Sequence, residues 1–176
     1  MEETPKGSNS IWWVWALAGC GCLGLVGIIV IGILASIALP SFLSQATKAK
    51  QSEAKTYVKA ILRSQQAYYL ENNNFTDSFA QLKLGVAPET PNYRYNVLSK
   101  GKNSNSAFVT AQSKQSELKS YVGGVFAIKL SGSKDVTTIA GMCETDVASS
   151  TISGMPTLDT KAGNQVICPE GTHLLQ

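Results

Sequence analysis

The hydrophobic pattern divides the chain into one uninterrupted apolar run and a mixed remainder. Residues 11–39 are uncharged and mostly apolar, and no charged residue occurs between Lys6 and Lys48. A helix needs about 20 residues, at 1.5 Å each, to cross the hydrocarbon core of a bilayer. The run exceeds that length, so we predict a transmembrane helix over residues 11–39, preceded by a polar leader of residues 1–10.

Helical spacing continues beyond Pro40. The positions that recur on one face are mostly apolar: Ala54, Val58, Ile61, Gln65 and Tyr68, with Tyr57 and Tyr69 beside them. The other face carries Lys55, Lys59, Arg63 and Gln66. This pattern predicts an amphipathic continuation of the helix over residues 40–72, ended by the asparagines at 72–74. Gly32 and Pro40 predict a kink where the two halves meet.

The pattern beyond residue 73 is typical of strands. β-Branched and aromatic residues are enriched in four segments, which we predict as strands: 92–99, 107–113, 120–130 and 136–144. Gly123 and Gly124 predict a bulge or bend in the third strand. The expected fold is α+β, with one long N-terminal helix packed on an antiparallel sheet of about four strands. The tail, residues 146–176, is rich in Gly, Ser and Thr and has few apolar anchors.

The composition and the absence of known motifs argue against nucleic-acid binding, catalysis and cofactor binding. The 176-residue chain has a net charge of +3 without a Lys/Arg run, so we expect no nucleic-acid partner. His173 is the sole histidine, and no nucleotide, zinc-protease or serine-hydrolase motif occurs. Asp135, Glu144 and Asp146 lie close in sequence; we interpret them as surface charge, with weak calcium binding as the alternative. We therefore expect neither an enzyme nor a cofactor, metal or small-molecule substrate.

Two cysteines lie far apart in the predicted head. Cys143 and Cys168 fit a disulfide, as is usual in small exported domains. Two buried free thiols are the alternative. A disulfide would close a C-terminal loop, which in the chain-entropy model is worth roughly 3–4 kcal/mol.

The apolar run has rival interpretations. Trp12, Trp13 and Trp15 cluster near its start and mark a membrane interface. A cleaved signal peptide has a shorter apolar core and a basic leader, so simple cleavage does not fit. Residues 17–20, with the sequence LAGC, match a bacterial lipobox, which makes Cys20 a lipidation candidate. Lysine placement favours a cytoplasmic head, whereas the disulfide favours an exported one.

Several segments together carry a resemblance to a known family. They are residues 32–42 (GILASIALPSF), 46–55 (ATKAKQSEAK), 66–76 (QAYYLENNNFT), 82–85 (LKLG) and 93–95 (YRY). In order and spacing they resemble the first helix of type IV pilins and pseudopilins, the amphipathic stretch after its proline, the end of that helix and the loop into the first strand. The pattern is closest to the pilin-like G/H proteins of cyanobacteria.

The resemblance implies a pilin-like architecture and topology. It implies a head of residues 73–176 that lies in the periplasm, outside the cell or on pili, a cytoplasmic N-terminus and a single membrane pass. The implied partners are membrane lipid and, through the N-terminal helix, other pilins or pilus-assembly proteins. Pilins often close their C-terminal loop with a disulfide, in keeping with Cys143 and Cys168.

The front of the chain departs from the family. Aligned on Gly32 and Pro40, the pilin processing junction falls at residues 18–19 without a basic leader, and Leu23 replaces the membrane-buried glutamate of the family. An unpaired carboxylate in a bilayer costs at least ~2.5–3.5 kcal/mol, a cost that pilins are thought to relieve by pairing with a neighbour's N-terminal amine. Leu23 removes both the cost and the pairing, so we expect a permanent anchor.

These observations favour a structural or interaction protein of a type IV pilus or a related secretion or assembly machine. The altered front end favours a minor or non-polymerising member. The alternative is a stand-alone envelope-binding module, membrane-anchored or lipidated, that uses a pilin scaffold.

Overall fold

The computed structural model describes residues 10–85, 87–99, 104–129, 135–149, 151–161 and 163–175. Within the N-terminal helix it describes side chains from Gly27 onward, except those of residues 35 and 37–41. The chain forms two compact units, Met1–Ala46 and Thr47–Gln176. The second unit contains both the amphipathic part of the helix and the head.

Helix α1 spans Ser10–Asn72 without interruption. Its end falls where the asparagine run predicted it, and Asn73 takes a left-handed conformation with a φ of 54°. Asparagine tolerates that conformation better than most residues, so it ends the helix at low cost. The helix is continuous through Gly32 and Pro40, and the kink predicted there stays a prediction.

A five-stranded antiparallel sheet forms the head. Four strands match the predicted segments to within one residue at either end: β1 (Tyr93–Ser99), β2 (Ser106–Ser113), β3 (Tyr121–Lys129) and β4 (Val136–Thr145). The order is β1-β2-β3-β4-β7, where β7 is Thr172–Leu175 from the tail. The predicted α+β fold is confirmed, with β7 as one more strand than the four expected.

The second unit has its core between the amphipathic half of α1 and this sheet. Ala54, Val58 and Ile61 are fully buried, as the helical spacing predicts. They pack with Tyr93, Tyr95, Tyr121 and Val125 from the strands. Full burial of a large apolar side chain contributes about 1.5–3 kcal/mol. The packing between α1 and the sheet is therefore the main source of the fold's stability.

The paired glycines in β3 do not form a bulge. Gly123 pairs one-to-one with Val109 and Met142, and the register on either side is regular. A Cβ at Gly123 would lie 2.8 Å from Leu62 Cδ1. The glycine therefore allows close approach of α1 to the sheet. The predicted bulge is wrong, and its alternative, a bend in the strand, stays a prediction.

Gln65 holds the loop that follows α1 through two hydrogen bonds. Its side chain is 2% exposed; Nε2 donates to the Thr76 carbonyl at 2.5 Å, and Oε1 accepts from the Thr76 N–H at 3.3 Å. The amide thus pairs both backbone groups of one buried residue, which explains a polar side chain on the buried stripe. The short helix α2 (Phe79–Leu82) follows, and the Ser64 hydroxyl donates to the Leu82 carbonyl at 2.7 Å.

The tail is more ordered than its composition predicts. Strands β5 (Thr157–Asp159) and β6 (Gln165–Ile167) form a hairpin, and β7 adds to the edge of the main sheet beside β4. A Cβ at Gly141 of β4 would lie 2.7 Å from Val166 Cβ, so this hairpin packs closely on β4. Cys143 and Cys168 form a disulfide with their Cα atoms 5.8 Å apart, joining β4 to the residue after β6.

Candidate functional site

Two features of the described residues stand apart from the core: an exposed apolar stretch of α1 and a buried charged cluster in the head. The first lies in the unit Met1–Ala46 and the second in Thr47–Gln176.

The apolar stretch of α1 exposes consecutive large side chains. Six of them fall between residues 28 and 34, and two more follow: Ile28, Ile29, Val30, Ile31, Ile33, Leu34, Phe42 and Leu43. The least exposed of these, Val30, is still 47% exposed. Successive helical residues are about 100° apart, so seven consecutive positions point in every direction around the axis. The helix is therefore apolar on all sides here.

The remaining predicted membrane features fall outside the described side chains. These are the three tryptophans Trp12, Trp13 and Trp15 and the lipidation candidate Cys20. Leu23 also lies there. Among the residues that the structure describes, no helix combines the length and apolarity needed to cross a membrane.

The charged cluster surrounds Glu144, near the end of β4. Its side chain is 8% exposed and its carboxylate lies 2.6 Å from Lys55 Nζ of α1 and 2.8 Å from Lys119 Nζ. His173 of β7 lies opposite Glu144 in the strand register, with Nε2 3.9 Å from Oε1. Three chain segments distant in sequence thus meet at one carboxylate.

The cations keep the Glu144 carboxyl ionised. Burial alone raises its pKa, but hydrogen bonds and charges from Lys119 and Lys55 outweigh this and hold the pKa below its ordinary value. A buried charge needs such partners, since an unpaired one is costly. Through these ion pairs the cluster joins helix α1, the loop that carries Lys119, and the sheet.

The acidic residues predicted as surface charge separate in the structure. Glu144 is buried with its lysines, whereas the exposed Asp146 carboxylate lies 2.7 Å from His173 Nδ1. Within the described ranges, no group of three or more His, Cys, Asp or Glu side chains is arranged to hold a metal ion. His173 is a half-exposed residue of β7 with Asp146 as its acidic neighbour.

The helical spacing predicts that Lys55 shares a polar helix face with Lys59 and Arg63. The structure shows that this face runs along β4: Lys55 meets Glu144, and Gln66 Nε2 donates to Thr138 Oγ1 at 3.2 Å. The cluster was missed because no local pattern links a lysine in a helix to a glutamate in a distant strand. Glu144 in an otherwise apolar and Thr-rich strand was the available signal.

Comparisons with known proteins agree with this architecture. The family model for type IV pilin-like G and H proteins matches residues 51–169, which include the buried part of α1, strands β1–β4, the disulfide, and Lys55, Lys119 and Glu144 of the cluster. Strand β7 with His173 lies beyond the matched residues. No solved structure gives a significant match.

Two curated relatives are similar over part of their length. The type IV major pilin protein PilA of Myxococcus xanthus is 42% identical over 74 residues, which are 42% of this chain and 33% of that protein. The type IV wide pilus major component PilA4 of Thermus thermophilus is 28% identical over 81 residues, which are 46% of this chain and 62% of that protein. The matches thus span less than two thirds of either relative. With most of its head matched by the family model, the chain belongs to the type IV pilin-like G and H family.

Proposed function

We propose that this chain is a membrane-anchored structural protein of a type IV pilus or a related secretion or assembly machine, and that it is a minor or non-polymerising member. One observation carries the anchoring. The stretch at residues 28–34 is apolar and exposed in every direction around α1. Such a surface needs cover on all sides, which lipid or other apolar helices provide.

The disulfide supports an exported head. Cys143 and Cys168 are bonded, and structural disulfides persist in oxidising compartments such as the periplasm or the cell exterior. With one membrane pass, an exported head goes together with the cytoplasmic N-terminus that we propose. The names of both relatives, a major pilin and a wide-pilus component, support a role among pilus proteins.

Leu23 supports the minor or non-polymerising role. At this position pilins carry an acidic residue whose desolvation cost, at least ~2.5–3.5 kcal/mol, favours pairing with a neighbouring subunit. A leucine is energetically favourable in lipid, so it does not favour pairing with a neighbouring subunit. The same residue motivates the second candidate, a stand-alone envelope-binding module held by the helix or by a lipid on Cys20.

The experiment measures where the protein resides in cells. Membranes and sheared pili are separated, and the protein is quantified in each beside the major pilin. We expect retention in the membrane pellet after alkaline carbonate extraction, and pilus levels far below those of the major pilin. Equal abundance with the major pilin in sheared pili would contradict the minor role.

A variant pair tests the anchor. Ile28→Lys/Ile31→Lys introduces two charges into the apolar stretch, each costing ~2.5–3.5 kcal/mol at a bilayer centre, so we expect loss of carbonate-resistant retention. Val147→Lys adds one such charge at an exposed apolar position of the head and serves as the control. Retention of the double variant equal to that of the control would contradict anchoring by this helix.

A further inference from the structure

The polar face of α1 makes polar side-chain contacts with β4 at two points, and the stretch between them lacks such contacts. Lys55 pairs with Glu144 at 2.6 Å, and Gln66 Nε2 donates to Thr138 Oγ1 at 3.2 Å. Lys59 and Arg63 lie between these points on the same helix face. Side chains alternate along a strand, so between Thr138 and Glu144 the helix-facing positions of β4 are Ala140 and Met142, which offer no acceptor for a cation.

A small groove lies along this stretch. Its volume is about 180 Å³, and its apolar lining includes Leu62, Met142 and Leu175. Lys59 and Arg63 also line it, and both are exposed. In the part of the chain that the structure describes, neither cation forms an ion pair or a side-chain hydrogen bond. The groove therefore combines an apolar interior with two uncompensated positive charges.

Size and charge together indicate the class of occupant. Small-molecule sites usually measure about 300–1,000 Å³, so a groove of about 180 Å³ is small for a whole ligand. It suits one large apolar side chain, the kind of anchor that dominates protein interfaces. Because Lys59 and Arg63 are one helical turn apart, a carboxylate next to that side chain reaches both of them.

We propose that this groove, between Lys55 and Gln66 along α1, is a docking site for a partner protein segment that presents one large apolar side chain beside a carboxylate. The site lies wholly in the unit Thr47–Gln176 and is separate from the exposed apolar stretch of α1. It does not depend on how the chain is anchored.

The test uses the full-length protein in phosphatidylcholine nanodiscs with ¹³C-methyl methionine. Met142 lines the groove, while Met155 lines a different depression and reports non-specific effects. The probe is the capped dipeptide acetyl-Leu-Glu-amide, titrated into the millimolar range beside acetyl-Leu-Gln-amide and acetyl-Ala-Glu-amide. We expect a saturable shift of the Met142 methyl with the first probe, and weaker binding of the other two.

The charge requirement is tested with Lys59→Gln/Arg63→Gln. Both residues are exposed, so the fold is retained, and Lys48→Gln/Lys161→Gln is a matched control with two other exposed cations removed. Because the groove variant loses two exposed ion pairs to the probe, we expect about fivefold weaker binding for it and no change for the control.

Several results would overturn the proposal. Equal binding of the Glu and Gln dipeptides, or unchanged binding by the groove variant, would show that the cations are not used. The same Met142 shift with inorganic phosphate would indicate a plain anion site. The same shift in phosphatidylglycerol nanodiscs without dipeptide would assign the groove to anionic lipid.

Discussion

Lys55 of α1 and Glu144 of β4 form an ion pair in which Nζ and Oε2 are 2.6 Å apart. Lys55 lies on a polar face of the helix, and Glu144 is a buried carboxylate beside the disulfide cysteine Cys143. The pair joins the helix to the strand from which the C-terminal tail continues. Stability of the head should therefore depend on this lysine more than on its neighbours in the same face.

We predict that Lys55→Met lowers the free energy of unfolding of the head by about 1–2 kcal/mol. Glu144 loses one of its two lysines but keeps Lys119, so the cost stays below that of a fully unpaired buried charge. Lys59→Met removes the same charge one helical turn away, where no ion pair is lost, and should change stability by less than about 0.5 kcal/mol. Equal losses of unfolding free energy for Lys55→Met and Lys59→Met, measured by denaturant unfolding, would contradict a stabilising role of the Lys55–Glu144 ion pair.

Glu144 also predicts a pH dependence of stability. Its folded pKa is below its ordinary value of 4.5, so the native head binds a proton less readily than the unfolded chain. The stabilisation is present above that ordinary value and is lost as pH falls through the lower folded pKa. Thermal unfolding between pH 6 and pH 3 should show a shallower loss for Glu144→Gln than for the wild type. Glu117→Gln, at an exposed position, should retain the wild-type slope.

Sequence and structure agree where the pattern is long and periodic. The buried stripe of α1, its end at Asn72 and strands β1–β4 were predictable, because burial of one face imposes a repeat on the residues. Strands β5, β6 and β7 have three or four residues each, too few for a repeat to show in a Gly- and Thr-rich tail.

The candidate site was less predictable than the fold. The stretch of α1 that is apolar on all sides is visible in the sequence because its residues are consecutive. The Glu144 cluster and the groove beside Lys59 depend on which strand packs under which helix face. No local pattern encodes that, so these features required the structure.

The disulfide should stabilise the tail through its loop. Cys143→Ser/Cys168→Ser opens a loop with a sequence separation of 25, so we predict a loss of about 3–4 kcal/mol in the free energy of unfolding. Cys20→Ser/Cys22→Ser alters the two cysteines of the N-terminal segment and should leave the unfolding of the head unchanged. A tail that unfolds identically with and without reductant would contradict this role.

Gly141 should be sensitive to any side chain. A Cβ there would lie 2.7 Å from Val166 Cβ and 2.8 Å from its Cγ1, and the β-branched valine has little freedom to move away. We predict that Gly141→Ala costs about 1–3 kcal/mol as the β5–β6 hairpin shifts from β4. Val166→Gly should lessen that cost when combined with Gly141→Ala. Additive effects in the double-mutant cycle would contradict direct contact.

The central claim is that this pilin-like chain keeps its apolar N-terminal helix as a permanent anchor. Intact-mass spectrometry of the full-length protein, purified from the membranes of its own cells, tests this most directly. We predict a mass that retains the N-terminal segment, with loss of at most the initiator methionine. A chain beginning at residue 19, after removal of residues 1–18, would contradict the claim by showing pilin-type processing, and a diacylglycerol-modified Cys20 would replace the helix anchor with a lipid.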